Sequence, residues 1–242
     1  MIEADNALIL AAGRSKRMGQ LSDDKPKGLF VVGGEVLIER QIRQLLEAGV
    51  PAIYITTGYR SEQFAYLEKK WEQVHLIHNP EWEVRNNHSS IWVAREILGN
   101  SYVCSSDNYF TVNPFERCVS ESYYSAIHAD GATGEWCMEE DEEGYVYSVT
   151  IGGYDAWYML GHTFWSKDFS RTFLKILERE YDLPQTKDKL WESIFAEHLD
   201  VLKMRIRRYD KSVISEFDTP EELRMFDQNN KEQKGIRAES NE

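Results

Sequence analysis

Five cationic side chains, Arg14, Lys16, Arg17, Lys25 and Lys27, fall within fourteen residues of a chain whose net charge is −13. They follow an apolar run, ALILAA over residues 7–12, and the small residue Gly13. Small side chains at Ala11, Ala12 and Gly13 let backbone N–H groups approach a base and phosphates closely, with Leu10 leading into the same loop. A cation density of this kind suits a triphosphate. Neither G-x-x-x-x-G-K-[ST] nor G-x-G-x-x-G occurs, so P-loop and dinucleotide-binding readings lose their best support. Taken alone, the segment also reads as an ordinary strand-to-helix loop with solvated charges.

Two aspartates stand at strand-end positions. Asp107 follows the β-rich stretch ending in Cys104-Ser105-Ser106, and Asp218 lies in Ser215-Glu216-Phe217-Asp218-Thr219-Pro220. A carboxylate just past a strand end can ligate Mg²⁺, a hard cation that wants carboxylate and phosphate oxygen. Each also reads as a turn or helix-capping residue. They are 111 residues apart, so only a folded cleft unites them. A third group is aromatic and acidic: Trp136, Trp157, Trp165 and Trp191, with Tyr154 and Tyr158, and Asp188 and Glu192 flanking Trp191. Aromatic faces with carboxylates can cage a quaternary ammonium, although a tryptophan also serves simply as core.

The elements that must position these residues can be read from periodicity. Residues 7–12 are too short for a helix and continuously apolar, which predicts a strand buried on both faces. Ile38, Ile42, Leu45 and Leu46 recur at helical spacing, stopped by Gly49 and Pro51. Residues 52–57 and 74–77 are further strands, with a helix between them capped by Ser61 and carrying Phe64, Leu67 and Trp71. Residues 90–98 read as a helix, and residues 102–105 as the strand that delivers Asp107. Strand and helix thus alternate four times in about 110 residues, which predicts a parallel, doubly wound α/β sheet with ligands at the carboxyl ends of its strands. The second half is more β-rich: strands are expected at 123–128, 135–138, 146–151, 157–164 and 203–209. Helices are expected at 167–179 and 189–198 and, with proline in its first turn, at 220–226. A polar tail from about residue 228 is expected to be disordered.

Composition excludes several classes. With 28 Lys and Arg against 41 Asp and Glu, the chain is a poor polyanion binder, and no nucleic-acid partner is expected. Cys104, Cys118 and Cys137 are widely spaced and suggest neither zinc nor a disulfide framework. The start lacks a basic n-region and no apolar run approaches ~18 residues, so a soluble cytoplasmic protein without membrane association is expected, as monomer or homodimer.

The segment LILAAGRSKRMGQLSDDKPKGL, residues 8–29, resembles the signature of the sugar-phosphate nucleotidyltransferase superfamily, L-A-A-G-x-(G/S)-x-R-(M/L)…P-K. The resemblance implies that Arg17 and Lys27 contact the triphosphate and that Asp107 and Asp218 bind Mg²⁺. Ser15 stands where a second glycine is usual, a substitution that fits a backbone without positive φ there. Over roughly residues 6–227 the chain also resembles bacterial choline-phosphate cytidylyltransferases. The match is carried by Lys25-Pro26-Lys27, Thr57-Gly58-Tyr59, Asn79-x-x-Trp82, Asn86-Asn87-x-x-Ser90, Asp107-Asn108-Tyr109, Glu135-Trp136, Asp188-x-x-Trp191 and Glu216-x-Asp218. A tyrosine of that family is Leu190 here.

What the resemblance implies is an α/β fold with a doubly wound, mostly parallel, Rossmann-like sheet of nucleotidyltransferase type and a small β-rich acceptor-binding insertion. A single domain over 1–227 would hold a nucleotide-binding half to about residue 120 and an acceptor-binding half from 121. Nucleotide-binding residues would be Leu10, Ala11, Ala12, Gly13, Arg14, Lys27, Asn87, Ser90 and Asp107; Arg17, Lys27, Asp107 and Asp218 would be catalytic. Trp136, Asp188, Trp191 and Glu216 would line the acceptor pocket. The expected reaction is CTP plus phosphocholine giving CDP-choline and pyrophosphate. Rival acceptors are 2-aminoethylphosphonate, phosphoethanolamine or a sugar 1-phosphate. A non-catalytic nucleotide-sensing domain is a rival of another class, one that predicts loss of some phosphate or metal residues.

Overall fold

A computed structural model describes residues 1–226 and 228; the expected tail beyond Gln228 lies outside the described residues. Four parallel strands form its centre: β1 (Asn6–Ala11), β2 (Ile53–Thr57), β3 (Val74–His78) and β4 (Ser101–Ser105), in the spatial order β4-β1-β2-β3. The expected α/β architecture is present. β1 sits between two partners, so its alternate side chains enter opposite layers. Ala7, Ile9 and Ala11 join one core with Ile38, Ile42, Leu45, Phe64 and Leu67, while Leu8 joins another with Ile91, Phe173 and Ile194. That two-sided burial is why the run is apolar without alternation.

Helix α1 (Leu37–Glu47) lays its apolar stripe on the first face. It ends where Gly49, at φ 83°, turns the chain: the Gly49 N–H donates to Leu46 O at 2.9 Å and the Val50 N–H to Leu45 O at 3.0 Å. This paired closure satisfies two carbonyls that the helix leaves open. The next expected helix differs. Residues Ser61–Phe64 form a 3₁₀ turn without a side-chain cap, and only Tyr66–Lys70 (α2) is α-helical. The expected helix at 90–98 is likewise two pieces, α3 (His88–Val93) and a 3₁₀ turn at Arg95–Ile97, parted at Ala94.

A short strand β5 (Asn108–Phe110) leaves the sheet after β4. The second half then extends the same sheet with β6 (Tyr123–His128), a long hairpin of β7 (Ala132–Glu140) and β8 (Val146–Tyr154), and β9 (Trp157–Trp165). β9 pairs antiparallel with β4, stitching the halves together, and β6 pairs with β9 and with β10 (Arg205–Arg208). Helices α4 (Lys167–Glu180) and α5 (Trp191–Glu197) cover the second face. The α4 start is fixed by Ser166, whose Oγ accepts from the Phe169 N–H at 3.2 Å. Finally β11 (Ile214–Glu216) pairs with β5, and a helix over residues 220–226 follows. Among the described residues no helix is long and apolar enough to cross a membrane.

Candidate active site

The carboxyl ends of β1 and β4 open into one cavity. Leu10, Ala11, Ala12 and Gly13 line it, together with Lys27, Asn87, Ser90, Ser105, Ser106 and Asp107. Eight of the nine expected nucleotide-binding residues therefore line one space. Arg14 does not: its guanidinium pairs with Asp23 at 2.9 Å and lies over the Tyr59 ring. Asn87 reaches the cavity, but its amide is engaged with α5. Its Oδ1 accepts from the Trp191 N–H at 2.7 Å and its Nδ2 donates to Glu192 at 3.1 Å.

The loop after Gly13 is anchored from below. Met18 is fully buried in a third apolar cluster with Phe30, Tyr109 and Phe217, and Arg17 precedes it in the chain. Ser15 adopts φ 54°, contrary to the expectation of negative φ at this non-glycine position. The loop must reverse between Gly13 and Met18, and the left-handed conformation at Ser15 supplies the turn at roughly 1–2 kcal/mol of backbone strain.

Beside this cavity four side chains converge. Lys27 Nζ is 2.9 Å from Asp107 Oδ2 and 3.1 Å from Asp218 Oδ1, and Arg17 Nη1 is 2.8 Å from Asp218 Oδ2. The β5–β11 ladder makes this possible: Glu216 pairs with Asn108, bringing Asp218 to the neighbourhood of Asp107. The Lys27 side chain is only 4% exposed. Burial works against its charge, but the carboxylates of Asp107, Glu216 and Asp218 outweigh that and raise its pKa. Asp107 Oδ1 is buried and has no hydrogen-bond partner. A hard divalent cation bound by carboxylate oxygen fits that atom. Both Asp218 oxygens are held by cations.

Beyond Asp218 a second cavity is lined by Glu135, Tyr158, Glu216, Glu222 and Phe226. Burial, reinforced by Asp107, pushes the Glu216 carboxyl well above the usual range. Glu192 sits behind Asn87, accepting also from the Tyr124 hydroxyl at 3.3 Å, and burial pushes it up to about 7. Among the described residues, Glu135, Glu192 and Glu216 form no ion pair within 4.0 Å.

The comparisons fit this geometry. The model of the MobA-like NTP transferase domain matches residues 7–112. Over 228 residues the chain is 32% identical to the 2-aminoethylphosphonate cytidylyltransferase of Lancefieldella rimae, covering 93% of each. The chain belongs to the cytidylyltransferase branch of the nucleotidyltransferases. This cytidylyltransferase is also 28% identical to the choline-phosphate cytidylyltransferase of Streptococcus pneumoniae, over 92% of its own length and 96% of the relative's. It superposes on the CTP:phosphocholine cytidylyltransferase LicC of Streptococcus pneumoniae with a TM-score of 0.88 at 29% identity, covering 94% of its own chain and 99% of the other.

The acceptor residues expected of this cytidylyltransferase do not all converge. Glu216 does. Trp191 instead lies in the core, 2% exposed, stacked on Tyr124 and packed edge-on to Trp165. Trp136 is half-buried against the same core layer, one residue out of phase with Glu135. Asp188 is exposed, and its carbonyl accepts from Asn86 Nδ2 at 3.0 Å. Sequence reasoning assigned no site role to Asn79, Trp82 and Arg85, which line the first cavity, nor to Glu135 in the second; Tyr158, one of the aromatic group named above, does line the second. The Asn79-x-x-Trp82 string was the available signal for the first group.

Proposed function

We propose that this enzyme transfers the cytidylyl group of CTP to a small phosphate or phosphonate bearing a primary ammonium, such as 2-aminoethylphosphonate or phosphoethanolamine. The observation that carries this reading is a pair of carboxylates that, among the described residues, form no ion pair, Glu216 and Glu135, in the cavity that Asp218 also lines. A primary ammonium donates hydrogen bonds that carboxylates accept, whereas a trimethylammonium has none to give and relies on aromatic faces. With Trp191 in the core, the expected cage lacks one of its walls. Phosphocholine is the second reading, favoured by the Tyr158 and Phe226 rings in the same cavity.

In the reaction an acceptor oxygen attacks the α-phosphorus in line, a P–O bond forms, the α–β bridge breaks and pyrophosphate leaves. The acceptor dianion is already a nucleophile, so no serine, cysteine or histidine is needed, and positioning with charge neutralisation does the work. Lys27 and Arg17 meet the triphosphate, while Ala11 to Gly13 offer backbone N–H groups. Asp107 and Asp218 would hold Mg²⁺, which supplies Lewis-acid stabilisation of phosphoryl charge when bound. The non-catalytic rival is disfavoured because Arg17, Lys27, Asp107 and Asp218 are all present and joined in one cluster.

The test is pyrophosphate release across four NTPs and four acceptors: 2-aminoethylphosphonate, phosphoethanolamine, phosphocholine and glucose 1-phosphate. CTP with a primary amine should give the highest kcat/KM. A preference for phosphocholine would select the second reading, and turnover with the sugar alone would overturn both.

A further inference from the structure

We propose that Lys27 occupies the place of the divalent cation in the free enzyme, so that metal enters only together with nucleotide. This rests on Asp107 and Asp218 being the metal ligands. The two carboxylates come from elements far apart in sequence and carry like charge, yet they face each other across a buried point. Lys27 Nζ sits at that point, 2.9 Å from one and 3.1 Å from the other. Without a cation there, two carboxylates would repel in a medium of low dielectric.

The same contacts restrict entry of a metal. Only Asp107 Oδ1 lacks a partner; Asp218 has one oxygen on Lys27 and the other on Arg17. A metal alone can gain one free oxygen, and to recruit Asp218 it must displace the buried Lys27 ammonium or Arg17 from it. A triphosphate changes the balance. It offers Lys27 and Arg17 new anionic partners beside the Gly13 loop, and the released Asp218 oxygens become available as the metal arrives. Metal and nucleotide binding are therefore coupled through one side chain, and Lys27 has two successive partners in each catalytic cycle.

The test uses Mn²⁺ as the probe, with free Mn²⁺ read by electron paramagnetic resonance and no acceptor present. CTP alone in buffer serves as the control for direct chelation. Wild-type enzyme should bind Mn²⁺ weakly without CTP and tightly with it. Lys27→Met should raise the CTP-free affinity by about ten-fold or more, since the competing charge is gone. Adding Asp107→Asn to that variant should abolish the gain. Arg17 is 74% exposed, so Arg17→Met keeps the fold and should give a smaller gain by freeing one Asp218 oxygen.

Folding of Lys27→Met only in Mn²⁺ would support the proposal. If it fails to fold under any condition, Arg17→Met decides, and unchanged affinity there overturns the proposal. A folded Lys27→Met with wild-type affinity overturns it as well, as does equal wild-type binding with and without CTP. Absence of Mn²⁺ binding even with CTP would instead remove the metal-ligand reading itself.

Discussion

Glu216 pairs with Asn108 across a two-stranded antiparallel ladder, and this one register brings Asp107 and Asp218 to the same lysine. Asp107 precedes the ladder on one strand and Asp218 follows it on the other. Shifting the register by one residue would turn Glu216 away and carry Asp218 out of reach of Lys27.

Asp107→Asn keeps the shape and removes the charge. Turnover should fall by roughly three orders of magnitude, several kcal/mol of transition-state stabilisation, with thermal unfolding nearly unchanged. Pyrophosphate release measured beside a melting curve checks this. Wild-type turnover in the variant would exclude Asp107 from the chemistry.

Glu192→Gln tests the support behind the first cavity. The variant should raise KM for CTP, through the Asn87 amide that Glu192 holds, while leaving acceptor KM in place. The effect should depend on pH. Burial raises the Glu192 carboxyl from the ordinary 4.5 to about 7, so the folded state keeps a proton that the unfolded chain releases between those values. Stability should therefore fall as pH rises through that window, by about 3 kcal/mol, and Gln should remove the slope. Above about pH 7 the wild-type carboxylate is ionised and accepts more strongly from Asn87, so KM for CTP should drop there; a flat wild-type profile would count against this role.

Trp191→Ala separates core from cage. A buried tryptophan packed among Tyr124, Trp165 and Phe173 should cost about 3–5 kcal/mol on truncation. KM for phosphocholine and for the primary amines should change in parallel at a temperature where the variant is folded. A selective loss of phosphocholine binding would restore Trp191 to the acceptor pocket.

Gly58→Ala probes the nucleotide cavity from outside. A Cβ at Gly58 would collide with the Trp82 side chain, which lines that cavity. Pushing the ring inward should raise KM for CTP by about 1–2 kcal/mol in binding terms, with acceptor KM little affected. Equal shifts in both constants would indicate a general loss of fold.

The alternation of strands and helices was legible because a two-sided strand and a one-sided helix demand different apolar periods. The loop cations were legible because they interrupt an acidic chain. What could not be read was orientation. Trp191 and Tyr158 are both aromatic residues in regular elements, and only packing decides that one faces the core and the other a cavity. Glu192 was visible as a charge beside Trp191, but its isolation from any cation depends on Asn87 and Tyr124 arriving from distant elements. The helix at 90–98 failed for a local reason: Ala94 leaves helical geometry, and the last turn tightens to 3₁₀. Ser15 misled because serine carries no marker of the left-handed backbone it adopts.

The β5–β11 ladder also sets a time of birth for activity. Residues 7–112 hold the nucleotide loop and Asp107, but Lys27 meets its second carboxylate only when Asp218 has left the ribosome and docked. A product truncated before residue 214 would keep Lys27 and Asp107 but lack Asp218, and so would not carry the four-membered cluster. Assembly of the cluster thus reports on folding across both halves of the chain.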